Sequence, residues 1–322
     1  MITRQRAWSV IVLVPALISS ALFVYGFVAW TGWASLTDWN TMRRVTGFFP
    51  DAEIIGLDNY RAVFQNPRFW TNDVFANLVF TVVFVVGCIA VGLLLAILID
   101  QHIRGESIFR SIFLFPMALS FVVTGTVWAW ILNPTTGINV IFDAVGISAI
   151  RDALLGVPFL QPLWQALDSL RIDLLREGLT ADPRAVIGAI GIAAVWQMSG
   201  FVMALYLAGL RGVSDELREA GRMDGASEVG IYRHIIVPLL RPITISAIVL
   251  LGYVSLKMFD LVFVLTRGGP ALASDLPSIF MFETTFRSSQ WARGAAVAIL
   301  MFLASAFLVV PYIRYELRRP GR

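Results

Sequence analysis

The chain has 322 residues, 57% hydrophobic and 15% charged, with a mean hydropathy of +0.75 and a formal net charge of +3. Soluble domains carry about 25% charged residues, so this composition is that of an integral membrane protein, and the charge is too small to suggest a nucleic-acid partner. The single cysteine, Cys88, lies in an apolar run and excludes an intrachain disulfide or thiolate metal cluster; the two histidines, His102 and His234, are too far apart in sequence to suggest zinc.

Six runs reach the roughly 20 apolar residues that a spanning helix needs: Val10–Trp30, Phe75–Ile99, Ser111–Leu132, Ala185–Leu207, Ile243–Leu265 and Ala295–Ile313. The first exceeds a signal-peptide core and lacks a small-residue cleavage site, so it reads as a retained helix. The expected fold is all-α, a polytopic membrane bundle of six transmembrane helices in a single domain over residues 1–322, with outer loops 34–74 and 133–184 and a charged loop 211–242. Arg4 and Arg6, Arg104 and Arg110, the loop arginines from Arg211 to Arg241, and Arg314 to Arg322 all fall on one side of six spans. That side is then cytoplasmic and both termini lie inside. Arg43, Arg44, Arg171 and Arg176 fall on the other side, so the bias is moderate.

Along the chain, Gly56 to Phe64 reads as a turn leading into a short helix, and Pro116 bends the third span, which requires a neighbour or a cavity to satisfy the freed carbonyl. Leucines at helical spacing with Trp164 predict an interfacial helix over 159–179. In the fourth span Trp196, Gln197 and Ser199 interrupt an apolar run. The fifth holds Tyr253, Ser255, Lys257 and Asp260; Lys257, the only lysine, and Asp260 stand one helical turn apart and can pair, either as structural glue or as the lining of a path or seam.

The stretch Ser214 to Pro242 is too polar to cross a bilayer. Ser214 is a good N-cap, Asp215 and Glu216 suit a first helical turn, Gly225 can end that helix, Ser227 can cap a second and Pro238 limits its run. The product is a helix-turn-helix with a small apolar knuckle of Leu217, Ala220, Gly221, Met223, Val229 and Ile235, ringed by Arg218, Glu219, Arg222, Glu228 and Arg233.

Glu219-Ala220-Gly221, then Gly225, then Ile235-Ile236-Val237-Pro238 resemble the loop that permease subunits of ABC importers carry, departing from it at Gly221 and Val237. Gly56-Leu57-Asp58-Asn59-Tyr60 and the run from Phe259-Asp260 to Leu265-Thr266-Arg267-Gly268-Gly269-Pro270 resemble segments of the maltose-type carbohydrate uptake family. Ser120 to Thr126, Trp196 to Phe201 and Ser274 to Pro277 look closest to its glucose/mannose or α-glucoside permeases. The resemblance implies that the knuckle docks on a separate ATPase, with Glu219, Ala220, Gly221, Asp224 and Gly225 at the contact. It further implies a sugar path lined by Met117, Phe121, Gln197, Met198, Val254, Ser255 and Met258, to which Ser199 is added.

A phosphate-cradling loop ending in Gly-Lys-Ser/Thr is absent, so the chain is expected to bind no cofactor and to be no enzyme; ATP and Mg²⁺ would sit on the partner ATPase subunits. The implied partners are a homodimeric ATPase, a second, maltose-G-like permease, an extracytoplasmic sugar-binding protein and the lipid bilayer. Other readings are an importer for another solute such as a glycerol phosphate ester, and an ion-coupled carrier with Lys257 and Asp260 as its site, although no inverted repeat is evident.

Overall fold

A backbone in hydrocarbon must satisfy its own hydrogen bonds, so long apolar runs without breakers become helices. The structure, a computed structural model, describes residues 13–40, 51–101, 104–133, 136–137, 140, 183 and 185–318. Among these residues the elements are helices, apart from one antiparallel bridge between Thr37 and Ile54. In chain order they are α1 (Leu13–Ser35), α2 (Asp58–Phe64), α3 (Phe69–Asp100), α4 (Glu106–Ala118), α5 (Phe121–Ile131), α6 (Val186–Leu210), α7 (Asp215–Met223), α8 (Glu228–Leu239), α9 (Arg241–Leu256), α10 (Asp260–Thr266), α11 (Pro277–Phe282) and α12 (Trp291–Leu317). Helices α1, α3, α6 and α12 are each long and apolar enough to cross a membrane. Two further pairs pass the same test only together and are sharply bent, α4 with α5 at 98° and α8 with α9 at 65°; counted as one span each they make six. The helix expected over 159–179 and His102 lie outside the described residues.

The chain divides into two compact units. One comprises Met1–Trp70 and Pro277–Ala304. Its core is aromatic: Trp39 stacks on Trp291 at 5.8 Å and meets Trp30 edge to face at 5.8 Å, around buried Ala34 and Ala292. The Gly56–Tyr60 motif has a structural job here. Buried Asn59 donates both amide protons, to Ser35 O at 2.9 Å and Thr37 O at 2.7 Å, satisfying carbonyls that the end of α1 leaves open. Tyr60 Oη meets Ser35 Oγ at 2.7 Å, and Asn40 donates to Asn59 Oδ1 while accepting from Arg293 N.

The other unit comprises Thr71–Leu276 and Ser305–Arg322. Its central helix is α6, apolar all round and buried along most of its length, as its many small residues require. Close approach of α6 to α3 depends on missing side chains. A methyl at Gly87, Gly92 or Gly191 would come within 2.6–2.7 Å of Val195, Val202 or Val83 on the facing helix. Each valine fills the notch that a glycine leaves, which is how helices associate where lipid offers no hydrophobic drive.

Two expected spans are broken. The third, Ser111–Leu132, is two helices: Pro116 is buried in a tight 3-10 turn, Phe115–Ala118, and the chain opens just beyond it, where Leu119 and Ser120 are extended. Ser120 then caps α5 by accepting from Val123 N at 3.3 Å. The fifth, Ile243–Leu265, is α9 and α10, interrupted at Lys257–Phe259. The other spans run longer than the apolar stretches alone: α3 starts at Phe69, α6 ends at Leu210 and α12 covers Trp291–Leu317, because polar residues at the ends continue the hydrogen-bond ladder.

Candidate functional site

Helices α7 and α8 form the expected elbow. Ser214 has an extended backbone and its carbonyl accepts from Leu217 N, but its hydroxyl makes no capping bond, contrary to expectation. At the other end of α7, Gly225 takes φ +77°. Ala226 N donates to Gly221 O and Gly225 N to Arg222 O, both at 3.0 Å, the two hydrogen bonds that close a helix through a left-handed glycine. Ser227 caps α8 through Gly230 N at 3.2 Å. Within α8 the turns widen to a π-helix over Tyr232–Ile236, one residue after which Val237 leads into Pro238, whose missing N–H removes a bond from the ladder.

The knuckle presents part of the expected surface. Met223 is 88% exposed, Val229 76% and Leu217 43%, with Glu219, Ala220, Asp224 and Gly225 also exposed. Gly221 is buried, and a methyl there would stand 3.1 Å from Ile231 and Ile235, so its smallness lets α7 close onto α8.

Arg218, expected in the solvated ring, also turns inward. Its Nη2 pairs with Asp100 Oδ2, the last residue of α3, at 2.8 Å, with side-chain exposures of 16% and 10%. Tyr232 of α8 donates to the same oxygen at 2.8 Å, and Arg218 lies over the Tyr232 ring at 5.7 Å. Burial works against the Arg218 charge, but the hydrogen bond and charge of Asp100 outweigh it and hold the guanidinium above its usual range. By contrast the Arg222–Glu228 pair at 2.8 Å, which links the two elbow helices, is 57% and 62% exposed and is screened by solvent, so it contributes little. Sequence reasoning passed over Asp100 and Tyr232. The available signal was a lone carboxylate closing an apolar run on the same side as an arginine-rich loop.

The residues assigned to a sugar path fall into two groups. Met117 is 44% exposed, and Phe121, Met198 and Val254 are half-buried. Gln197, Ser199, Ser255 and Met258 are buried within the chain, and two of these serve the helix breaks. Gln197 Nε2 donates to Leu119 O at 2.8 Å, which is the satisfaction of the freed carbonyl that Pro116 called for. Ser255 Oγ meets Thr81 Oγ1 at 2.6 Å, and Asn77 Nδ2 donates to Ser255 O at 3.3 Å, so α3 braces the end of α9. The expected Lys257–Asp260 ion pair does not form. The break carries the two residues out of helical register, and Lys257 Nζ instead donates to Tyr253 Oη at 3.2 Å and lies 4.3 Å above that ring. Both Lys257 and Asp260 are exposed.

Beyond α10 the Leu265–Pro270 motif is a helix stop. Arg267 is left-handed and Gly269 has φ +70° and ψ −175°, a conformation confined to glycine, with Ser274 Oγ 2.3 Å from where a methyl would sit. Among the described residues no cluster of three or more His, Cys, Asp or Glu side chains could hold a metal ion.

Residues 88–317 match the family described as binding-protein-dependent transport system inner membrane component, which takes in the end of α3 and all of α4 to α12, the elbow included. The chain belongs to that family. A probable ABC transporter permease of Pyrococcus horikoshii is 38% identical to it over 97% of both chains. The xylose/arabinose import permease of Haloferax volcanii is 31% identical over 94% of this chain and 85% of its own. The fold is that of a permease in a solved bacterial alginate ABC transporter, crystallised in complex with its alginate pentasaccharide-bound periplasmic protein: the TM-score is 0.73 at 17% identity, covering 99% of this chain and 98% of that one. The protein is therefore a multi-pass membrane permease subunit of an ABC importer, and not an enzyme.

Proposed function

We propose that this permease conducts a sugar, and that its elbow is the handle by which a separate ATPase works it. The observation that carries the reading is the elbow itself: an apolar face of Leu217, Met223 and Val229 stands exposed around α7, a helix too polar to lie in hydrocarbon, held in shape by Gly225 and by buried Gly221. An apolar knuckle of that kind fits a groove on a soluble protein, with Glu219 and Asp224 at its charged rim. The elbow then faces the cytoplasm, both termini lie inside, and ATP with Mg²⁺ is bound by the partner ATPase subunits. One chain has one knuckle and an ATPase dimer has two clefts, so a second permease of the maltose-G type completes the pathway. An extracytoplasmic binding protein delivers the cargo.

Sugar as cargo is supported by the xylose/arabinose relative and by the subgroup resemblance of Ser120–Thr126 and Trp196–Phe201. In this reading Met117, Phe121, Met198 and Val254, with the exposed Tyr253–Lys257 pair, meet the sugar. Gln197, Ser199, Ser255 and Met258 stand behind them and fix the broken helices that open the path. A basic side chain at membrane depth is costly unless it faces water or a partner, and a path supplies that water. The test is uptake of radiolabelled xylose, arabinose, maltose and trehalose into proteoliposomes holding both permeases, the ATPase and the binding protein. Uptake of at least one sugar should require internal ATP. Uptake that follows an ion gradient with no ATP present would contradict the reading.

A further inference from the structure

The elbow can drive the membrane helices only if it is fastened to one of them, and the fastening should be strong enough to bear load in both directions. Two exposed ion pairs on this side, Arg222–Glu228 and Arg211–Glu106 at 3.3 Å, are too solvated for that. Asp100 is different. It accepts from Arg218 on α7 and from Tyr232 on α8, so both halves of the elbow grip one carboxylate, largely out of water, at the last residue of a 32-residue helix. At a site shielded from most of the solvent such charge-assisted bonds are stronger than fully exposed ones, and losing one partner leaves a half-buried charge uncompensated.

The other end of that helix is equally engaged. Asn77 and Thr81 hold Ser255 at the break between α9 and α10. At about 1.5 Å per residue, Asn77 and Asp100 stand roughly 35 Å apart along α3, close to the thickness of a bilayer. Valines seated in glycine notches pack α3 along α6 between these points.

We propose that Asp100 is the positioning residue through which displacement of the elbow passes into α3, and through α3 to the helix break at Lys257–Phe259. Arg218 and Tyr232 are its two grips. This rests on the elbow docking on an ATPase, and it adds the route by which the ATPase's motion reaches the path. The chain of contacts is continuous: elbow, Asp100, α3, Asn77 with Thr81, Ser255.

The experiment uses the assembled importer with Cys88→Ala and Leu78→Cys in this chain. Leu78 is 59% exposed on α3 beside Asn77, far from the elbow, and takes an environment-sensitive fluorophore. ATP, Mg²⁺ and vanadate trap the ATPase closed, and the emission shift of the label is read. The shift should appear in the otherwise unaltered importer and in Arg218→Lys, and be largely lost in Asp100→Asn and Arg218→Met. An unchanged shift in Asp100→Asn, equal loss in Arg218→Lys and Arg218→Met, or no shift in the unaltered importer would overturn the proposal. Should Asp100→Asn fail to assemble, Tyr232→Phe deletes one donor only; a reduced shift there supports the tether and a full shift refutes it. Co-purification of the ATPase is followed in parallel. If no ATPase is retained even by the unaltered chain, the docking reading fails; if it is retained and the shift survives in Asp100→Asn, the tether alone fails.

Discussion

Gln197 carries a polar amide into the middle of an apolar helix, and the structure gives that amide a definite task. Its Nε2 reaches Leu119 O, the carbonyl left open where α4 stops and α5 begins. Gln197→Ala would leave this carbonyl buried and unpaired at a cost of about 1–3 kcal/mol. Melting of the detergent-purified permease should therefore fall measurably; an unchanged melting temperature with weakened uptake would instead make Gln197 a sugar contact and no more. The need for such a partner was legible in the sequence, since Pro116 announces a freed carbonyl. Which side chain supplies it was not, because Leu119 and Gln197 are 78 positions apart and only packing brings them together. Lys257 and Asp260 teach the converse. Their spacing suits an ion pair on a continuous helix, and it is the break between them that sends Lys257 to Tyr253.

At the scale of elements, the elbow was legible almost residue by residue. Gly225 and Ser227 carry their conformations in their chemistry: one tolerates a left-handed turn, the other accepts from an open amide. What periodicity could not supply was the sense of each face. Gly221 and Arg218 read as surface residues and are turned inward, one against Ile231 and Ile235, the other onto Asp100. Gly221→Val should consequently splay α7 from α8 without disturbing the bundle. Overpacking of that size costs about 1–3 kcal/mol. The expected result is an intact, monodisperse permease whose ATP-driven uptake is lost; normal uptake would mean that elbow geometry is not critical. Long apolar runs located the spans, and Pro116 signalled a bend in the third, but nothing warned of the break in the fifth, because Lys257-Met258-Phe259 contains no proline or glycine.

At the scale of the whole molecule, the described helices are those of a membrane permease. Helices α1, α3, α6 and α12, with two bent pairs, supply the spans, and the family assignment makes the chain an importer permease. Exposed Tyr253 and Lys257 sit beside a helix break that is braced by α3 from the buried side. In the reading proposed above, a separate ATPase supplies the energy through the elbow. The most direct measurement is recovery of ATPase subunits when the permease pair is purified by a tag on this chain, comparing it unaltered and as Met223→Asp with Val229→Asp. Both side chains are more than three-quarters exposed, so the substitutions leave the fold untouched while placing two carboxylates on the apolar face. The account predicts that the second permease is recovered as before and the ATPase is lost. Full recovery of the ATPase on the doubly substituted elbow would contradict it.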